Sequence, residues 1–163
     1  MGHFRKNVCD LEFNLFEVLD LEKALATGEF GDLDSDTAQP KLADARTLLA
    51  TALADLQAMA AAMTGYLLSS QENARELYRL GLESVRFLLA IGDLLIGWLL
   101  LQQAEIALNA LDSEVSDRDR SFYAGKVAVA NFFAKNVLPL LTADRKIVEA
   151  VDLTAMDLRE EAF

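Results

Sequence analysis

The stretch RFLLAIGDLLIGWLLLQQAEIALNAL, residues 86–111, limits what this chain can become. From residue 87 to residue 101 only Gly92, Asp93 and Gly97 interrupt the apolar side chains. A membrane-spanning helix needs about 20 apolar residues at 1.5 Å each. This run is shorter, is bounded by Arg86 and by Gln102 and Gln103, and holds a carboxylate near its middle. Length and period together point to a helix buried on nearly every side, the central rod of a helical bundle.

The rest of the composition agrees with one soluble all-α domain. A chain of 163 residues with 53% hydrophobic content is long enough to bury a real core. Its net charge of −11 argues against nucleic acid, because phosphate contacts need a basic face. The same charge makes capture by an anionic membrane unfavourable. Cys9 is the single cysteine, so neither an internal disulfide nor a cysteine metal cluster is available. Met1 to Asp10 is polar and lacks the apolar region of a secretory signal, which gives a cytoplasmic expectation.

Taken in order, residues 1–39 read as an N-terminal segment with one helix and an acidic linker. Asp10 suits an N-cap, residues 11–26 carry an apolar stripe (Leu11, Leu15, Val18, Leu19, Leu25, with Phe13 and Phe16), and Gly28 is a stop. EFGDLDSDTAQ, residues 29–39, is acidic and turn-rich. Residues 40–163 read as a second unit. Pro40 fits the first position of a helix. Leu42, Leu49, Leu56 and Met63 recur every seven residues, and Ala45, Ala52, Met59 and Tyr66 follow three residues behind each. That is a bundle seam, thin because alanine fills much of it. A short helix is expected over residues 74–80, broken or bent at Gly81, before the central rod. Residues 112–116 form a polar turn in which Ser116 or Asp117 can cap the next helix. Pro139 ends or kinks that helix, and a further helix covers residues 141–151.

Little in the sequence speaks for chemistry. His3 is the one histidine, which excludes the paired Glu-x-x-His sites of di-iron bundles. It has no second element of a nucleophilic triad beside it. Neither a P-loop nor G-x-G-x-x-G occurs. Cys9 reads as an ordinary thiol, and Trp98 and Tyr66 as core aromatics. Asp93 is the ionisable group that needs an explanation. A charge inside an apolar helix must be paired, hydrated or neutral. Its helical neighbours Leu89, Ala90, Ile96 and Gly97 offer no cation. A structural buried charge paired across helices is therefore expected, with Lys126, Lys135, Arg75 and Arg79 as candidate partners; the alternative is a catalytic base.

Several stretches resemble acyl-CoA dehydrogenases of the large actinobacterial type. NVCDLEFNLFEVL (residues 7–19), GEF (28–30) and DSDTA (34–38) look like the extreme N-terminus of those enzymes. MTGYLLSSQEN (63–73), ELYRLGLESVRFLLAIGDLLIGWLLLQQAEIAL (76–108) and FYAGKVAVANFFAKNVLP (122–139) look like their additional C-terminal helical domain. In such enzymes, the resemblance implies, FAD and thioester are held by an N-terminal helical domain, a β-domain and a core bundle that supplies a glutamate base. Nothing here matches that body: residues 39–42 pass directly from the first resemblance to the second. No catalytic, cofactor-binding or metal residue is carried over. The expectation is an internally deleted paralogue, an engineered chain or a gene fragment.

The sequence thus predicts an all-α up-down bundle with a long buried central helix. As a function it suggests a non-catalytic structural or interaction module in the setting of fatty-acid β-oxidation, with a protein partner or a homo-oligomer. The alternatives are a small subunit completing an acyl-CoA dehydrogenase with a partner chain, and a module that binds acyl chains. A membrane-binding role is disfavoured by acidity and by the want of a basic amphipathic face.

Overall fold

The computed structural model describes residues 40–162, which fall within one compact unit, Ala38–Phe163. The expected helix at 11–26, its cap Asp10 and stop Gly28, and His3 and Cys9 lie outside the described residues.

Among the described residues the chain is helical, with no strand. A 3-10 turn, Pro40–Leu42, leads into α1, Ala43–Ser69. α2 is Glu76–Leu111, α3 Asp117–Asn136 and α4 Leu140–Ala150. Two short 3-10 turns, Thr154–Asp157 and Glu160–Ala162, follow. At 1.5 Å per residue, the 36 residues of α2 run about 54 Å. α2 is central: it packs on α1 along one side and on α3 along another. Arg46 near the start of α1 meets Glu105 near the end of α2, so the two run antiparallel. Lys126 meets Gln103, and Leu138 meets Gly97, so α3 is antiparallel to α2 in turn. α4 continues in the direction of α3 and packs on α1. The architecture is an up-down bundle of three rods, the third jointed at Pro139.

The seam predicted for α1 is the core. Leu42, Ala45, Leu49, Ala52, Leu56, Met59 and Met63 are all buried. On α2 the buried line is Glu83, Ala90, Leu94, Gly97, Leu101, Ala104 and Leu108. Its steps of three, four and seven residues are again a heptad seam. Ala130, Ala134, Leu138, Leu141 and Val148 close the core from the third rod. Small residues let the rods approach closely: a Cβ on Gly97 would stand 2.9 Å from Leu138 Cδ2.

Two expectations need correction. α2 is continuous through Gly81, because the roughly 1 kcal/mol that a helical glycine costs is outweighed by an unbroken apolar pattern on both sides of it. The central helix is also not buried all round within this unit. Val85, Leu88 and Leu89 are 65%, 66% and 64% exposed. The cause is the number of neighbours: α1, α3 and α4 cover one side of the rod and leave the other side open.

The turns are read more directly. α2 stops at Leu111 and α3 starts at Asp117, with Ser116 extended at φ −63°, ψ 156°. The Ser116 hydroxyl oxygen accepts from the Asp119 amide at 3.2 Å, and Asp117 and Asp119 sit in the positive first turn.

Candidate functional site

Polar groups inside the bundle hold the third rod to the other two. Asp55 lies on α1 beside the seam and is only 4% exposed. Thr142 of α4 donates its hydroxyl to Asp55 Oδ2 at 2.5 Å. Arg145 Nε stands 3.2 Å from Asp55 Oδ1, a charge contact rather than an aligned hydrogen bond. About three turns further along α1, the Tyr66 hydroxyl donates to the Val148 carbonyl at 2.8 Å, near the end of α4 where helix carbonyls have no internal partner. On α2, Arg86 bridges Glu83 at 2.9 Å and Asp144 at 2.7 Å. Its bonds to Asp144 and then Glu83 hold the guanidinium above its usual pKa, so it stays charged. Arg46 donates to Glu105 at 2.6 Å at the opposite end of the rod. These groups are paired and largely enclosed. They orient helices and present no free nucleophile or base to a substrate.

Asp93 stands differently. It is half-buried and makes no ion pair among the described residues. Three of the four expected cations are engaged elsewhere, and the fourth, Lys135, makes no ion pair with it. Lys126 donates to Gln103 at 2.9 Å and sits over the Phe122 ring at 5.5 Å. Arg75 pairs with Asp157, and Arg79 with Glu76 at 3.1 Å and with the Tyr66 ring at 5.6 Å. Lys135 is exposed. Desolvation, and then the nearby Asp144 charge, raise the pKa of the Asp93 carboxyl from its ordinary value. The half-buried carboxylate is thus left unpaired, and partial burial works against its charged form. Sequence reasoning missed Asp55, the better-buried carboxylate; its signal was a lone acid flanked by the seam residues Ala52 and Leu56.

An open hollow lies at the α1–α2 turn, lined by Gly65, Tyr66, Ser69, Glu72, Glu76 and Arg79. Its two glutamates do not suit the pyrophosphate of a flavin dinucleotide or an apolar acyl tail. No group of histidine, cysteine or carboxylate side chains with metal-binding geometry occurs among the described residues.

The outer side of α2 is an exposed apolar surface that the packing within this unit does not explain. Tyr78, Leu82, Val85, Leu89, Gly92, Ile96 and Leu99 alternate by four and three residues, a second heptad spacing on another side of α2 that ends at Gln103, which turns to Lys126 of α3. Tyr78, Leu82, Val85, Leu89, Ile96 and Ile106 are exposed. α1 and α2 are both long and apolar enough to cross a membrane by length and composition. Yet α2 carries Glu83, Arg86, Asp93 and Glu105 and is ion-paired to α1 and α4, as a bundle helix is.

The fold defines a helical bundle built for packing and carrying no assembled catalytic site among the described residues. Its family is shown by comparison: residues 22–159 match the family described as acetyl-CoA dehydrogenase C-terminal like, and the chain belongs to it. The broad-specificity linear acyl-CoA dehydrogenase FadE5 of Mycobacterium tuberculosis is 54% identical over 131 residues, 80% of this chain and 21% of that protein. A butyryl-CoA dehydrogenase of Syntrophomonas wolfei is 37% identical over 81 residues, 49% of this chain and 13% of that enzyme. The chain therefore spans about a fifth or less of the length of these relatives.

Proposed function

We propose that this chain is a non-catalytic structural or interaction module of acyl-CoA dehydrogenase descent, cytoplasmic and working in fatty-acid metabolism through protein contacts. The observation that carries this reading is the extent of the match. Most of the chain corresponds to a C-terminal domain, and about four-fifths of the length of FadE5 has no counterpart in it. The enclosed ion pairs and the open apolar seam on α2 support packing as the role. The relatives are named as acyl-CoA and butyryl-CoA dehydrogenases, and this reading assigns that chemistry to the portion of their length that has no counterpart here. Purified protein is expected to be colourless and to reduce no dye with straight-chain acyl-CoA. Stoichiometric flavin absorbance or turnover would sink the proposal.

A second reading follows from the same missing length: a small subunit that completes an acyl-CoA dehydrogenase with a partner chain. It predicts that a co-expressed partner gains dehydrogenase activity on adding this protein. The acyl-chain-binding alternative is less well supported, because the hollow at the α1–α2 turn is open and charged.

A further inference from the structure

Polar side chains mark the border between α2 and the third rod. Arg86 of α2 meets Asp144 of α4 at 2.7 Å, and Lys126 of α3 meets Gln103 of α2 at 2.9 Å. Residues three and four positions apart share a helix surface, and around each border residue these neighbours divide in the same way. Beside Arg86, Glu83 and Ala90 turn into the core, while Leu82 and Leu89 are exposed. Beside Asp144, Leu141 and Val148 are buried, while Leu140 and Ile147 are exposed. Beside Lys126, Ala130 is buried, while Phe122 and Val129 are exposed. The outward neighbours form two apolar ridges, one on each rod, and the border groups form the floor of the trough between them.

Asp93 belongs to that floor. Its own neighbours divide likewise: Ala90 and Gly97 are buried, Leu89 and Ile96 exposed. It makes no ion pair among the described residues, and Arg86 already serves both Glu83 and Asp144. Around Arg86 and Asp93, three carboxylates thus stand against one guanidinium. Lys126 does not redress this, because it is held at Gln103, about 15 Å further along α2. From Leu82 to Ile96 the trough runs about 21 Å, roughly four helical turns. A groove of this form takes an amphipathic helix by apolar anchors at i, i+3 or i+4, and i+7. A carboxylate in its floor selects a helix that brings a cation into that stripe. The net charge of −11 also favours a basic partner over a second copy of the same acidic chain.

We propose that the trough between α2 and the third rod docks an amphipathic helix of another protein, with aliphatic anchors between the two ridges and one lysine or arginine set against Asp93. This rests on the interaction-module reading and names the chemistry of the partner. It also gives a reason for a carboxylate that the bundle leaves without a cation. The test uses the full chain and two designed helical peptides of about five turns, built from alanine and glutamine with leucines at i, i+4 and i+11. At i+7 one carries lysine and the other glutamate. In fluorescence anisotropy titrations the lysine peptide should bind at least about tenfold more tightly than the glutamate peptide. Asp93→Asn should remove that preference; because this variant is expected to melt no lower than the parent, its loss cannot be ascribed to unfolding. Leu89→Ser and Leu140→Ser, one on each ridge, should weaken the lysine peptide, and Leu88→Ser on the far flank of α2 should not. No binding of either peptide at millimolar concentration would overturn the proposal, as would equal binding of the two or a preference that survives Asp93→Asn. So would binding that appears only after removal of residues 1–39, or a homodimer in sedimentation that blocks the peptide. Flavin and turnover assays bear on the module reading alone. An inactive protein that ignores both peptides would therefore refute the docking trough and leave that reading standing.

Discussion

The two sides of α2 obey the same heptad spacing and differ in what meets them. On the inner side Ala90, Leu94, Gly97, Leu101 and Ala104 are buried under α1 and α3, and the glycine is filled by Leu138. On the outer side Leu82, Val85, Leu89 and Ile96 are exposed, and nothing stands over Gly92. The residue types even run against intuition: the open side carries the larger side chains, and the closed side is rich in alanine and glycine. Spacing therefore reveals that a helix has a seam. Whether the seam is filled depends on how many helices the unit supplies.

Substitutions along the rod sharpen this contrast. Leu94→Ala should lose about 2–5 kcal/mol in chemical denaturation, since it empties a site that is fully enclosed. Leu88→Ala in dilute protein should stay within about 0.5 kcal/mol, as an exposed side chain does. Equal losses at the two sites would mean that the outer side is covered in the monomer.

Arg145→Ala comes next. It leaves Asp55 enclosed with the Thr142 hydroxyl alone, at a cost of about 1–3 kcal/mol. Replacing both by apolar residues should recover part of that loss in a double-mutant cycle, because the lone buried charge is the unfavourable state.

The glycines should then separate by side and environment. Gly97→Ala pushes a methyl into Leu138, which is itself buried and has little room to yield, and should cost about 1–3 kcal/mol in thermal or denaturant melts. Gly81→Ala meets nothing within 4 Å and should stabilise by about 0.4–1 kcal/mol. If both alanines stabilise, the approach of α3 to α2 is looser than described.

Asp93→Asn should have the smallest effect, and its sign is informative. The folded pKa lies above the unfolded value, so folding takes up a proton between the two. Stability consequently falls as pH rises from the unfolded carboxylate value, about 3.9, through the folded one. Asparagine removes that loss. Melting at neutral pH should be equal to or slightly above the parent, and the two proteins should converge in acid. A markedly lower melting point for Asp93→Asn at neutral pH would restore the paired-charge expectation.

Much of the fold was legible because it repeats. The α1 seam needs only the order of Leu42, Ala45, Leu49 and their successors, and the Ser116 cap needs only a serine ahead of Asp117 and Asp119. What failed was information about the far side of a helix. The neighbours of Asp93 along its own helix were readable; which rod it faces was not, so its cations were misassigned. Gly81 looked like a break because glycine is locally unfavourable, whereas the helix there is decided by the sum over 36 residues. The Asp55–Arg145 contact joins positions far apart in the chain, and no spacing rule connects them.

That same contact, with Tyr66 reaching Val148, has a consequence for how the protein is made. α1 leaves the ribosome well before α4 exists. At ~5–20 residues per second the delay between Asp55 and Arg145 is several seconds, while a helix forms in about a microsecond. α1 can therefore form and re-form its helix many times in that interval, with one flank of its seam open to water. α2 and α3 arrive as near neighbours in the chain and can pack on it first; the α1–α4 clasp closes last, and until then the nascent chain is exposed to anything that binds an uncovered apolar stripe.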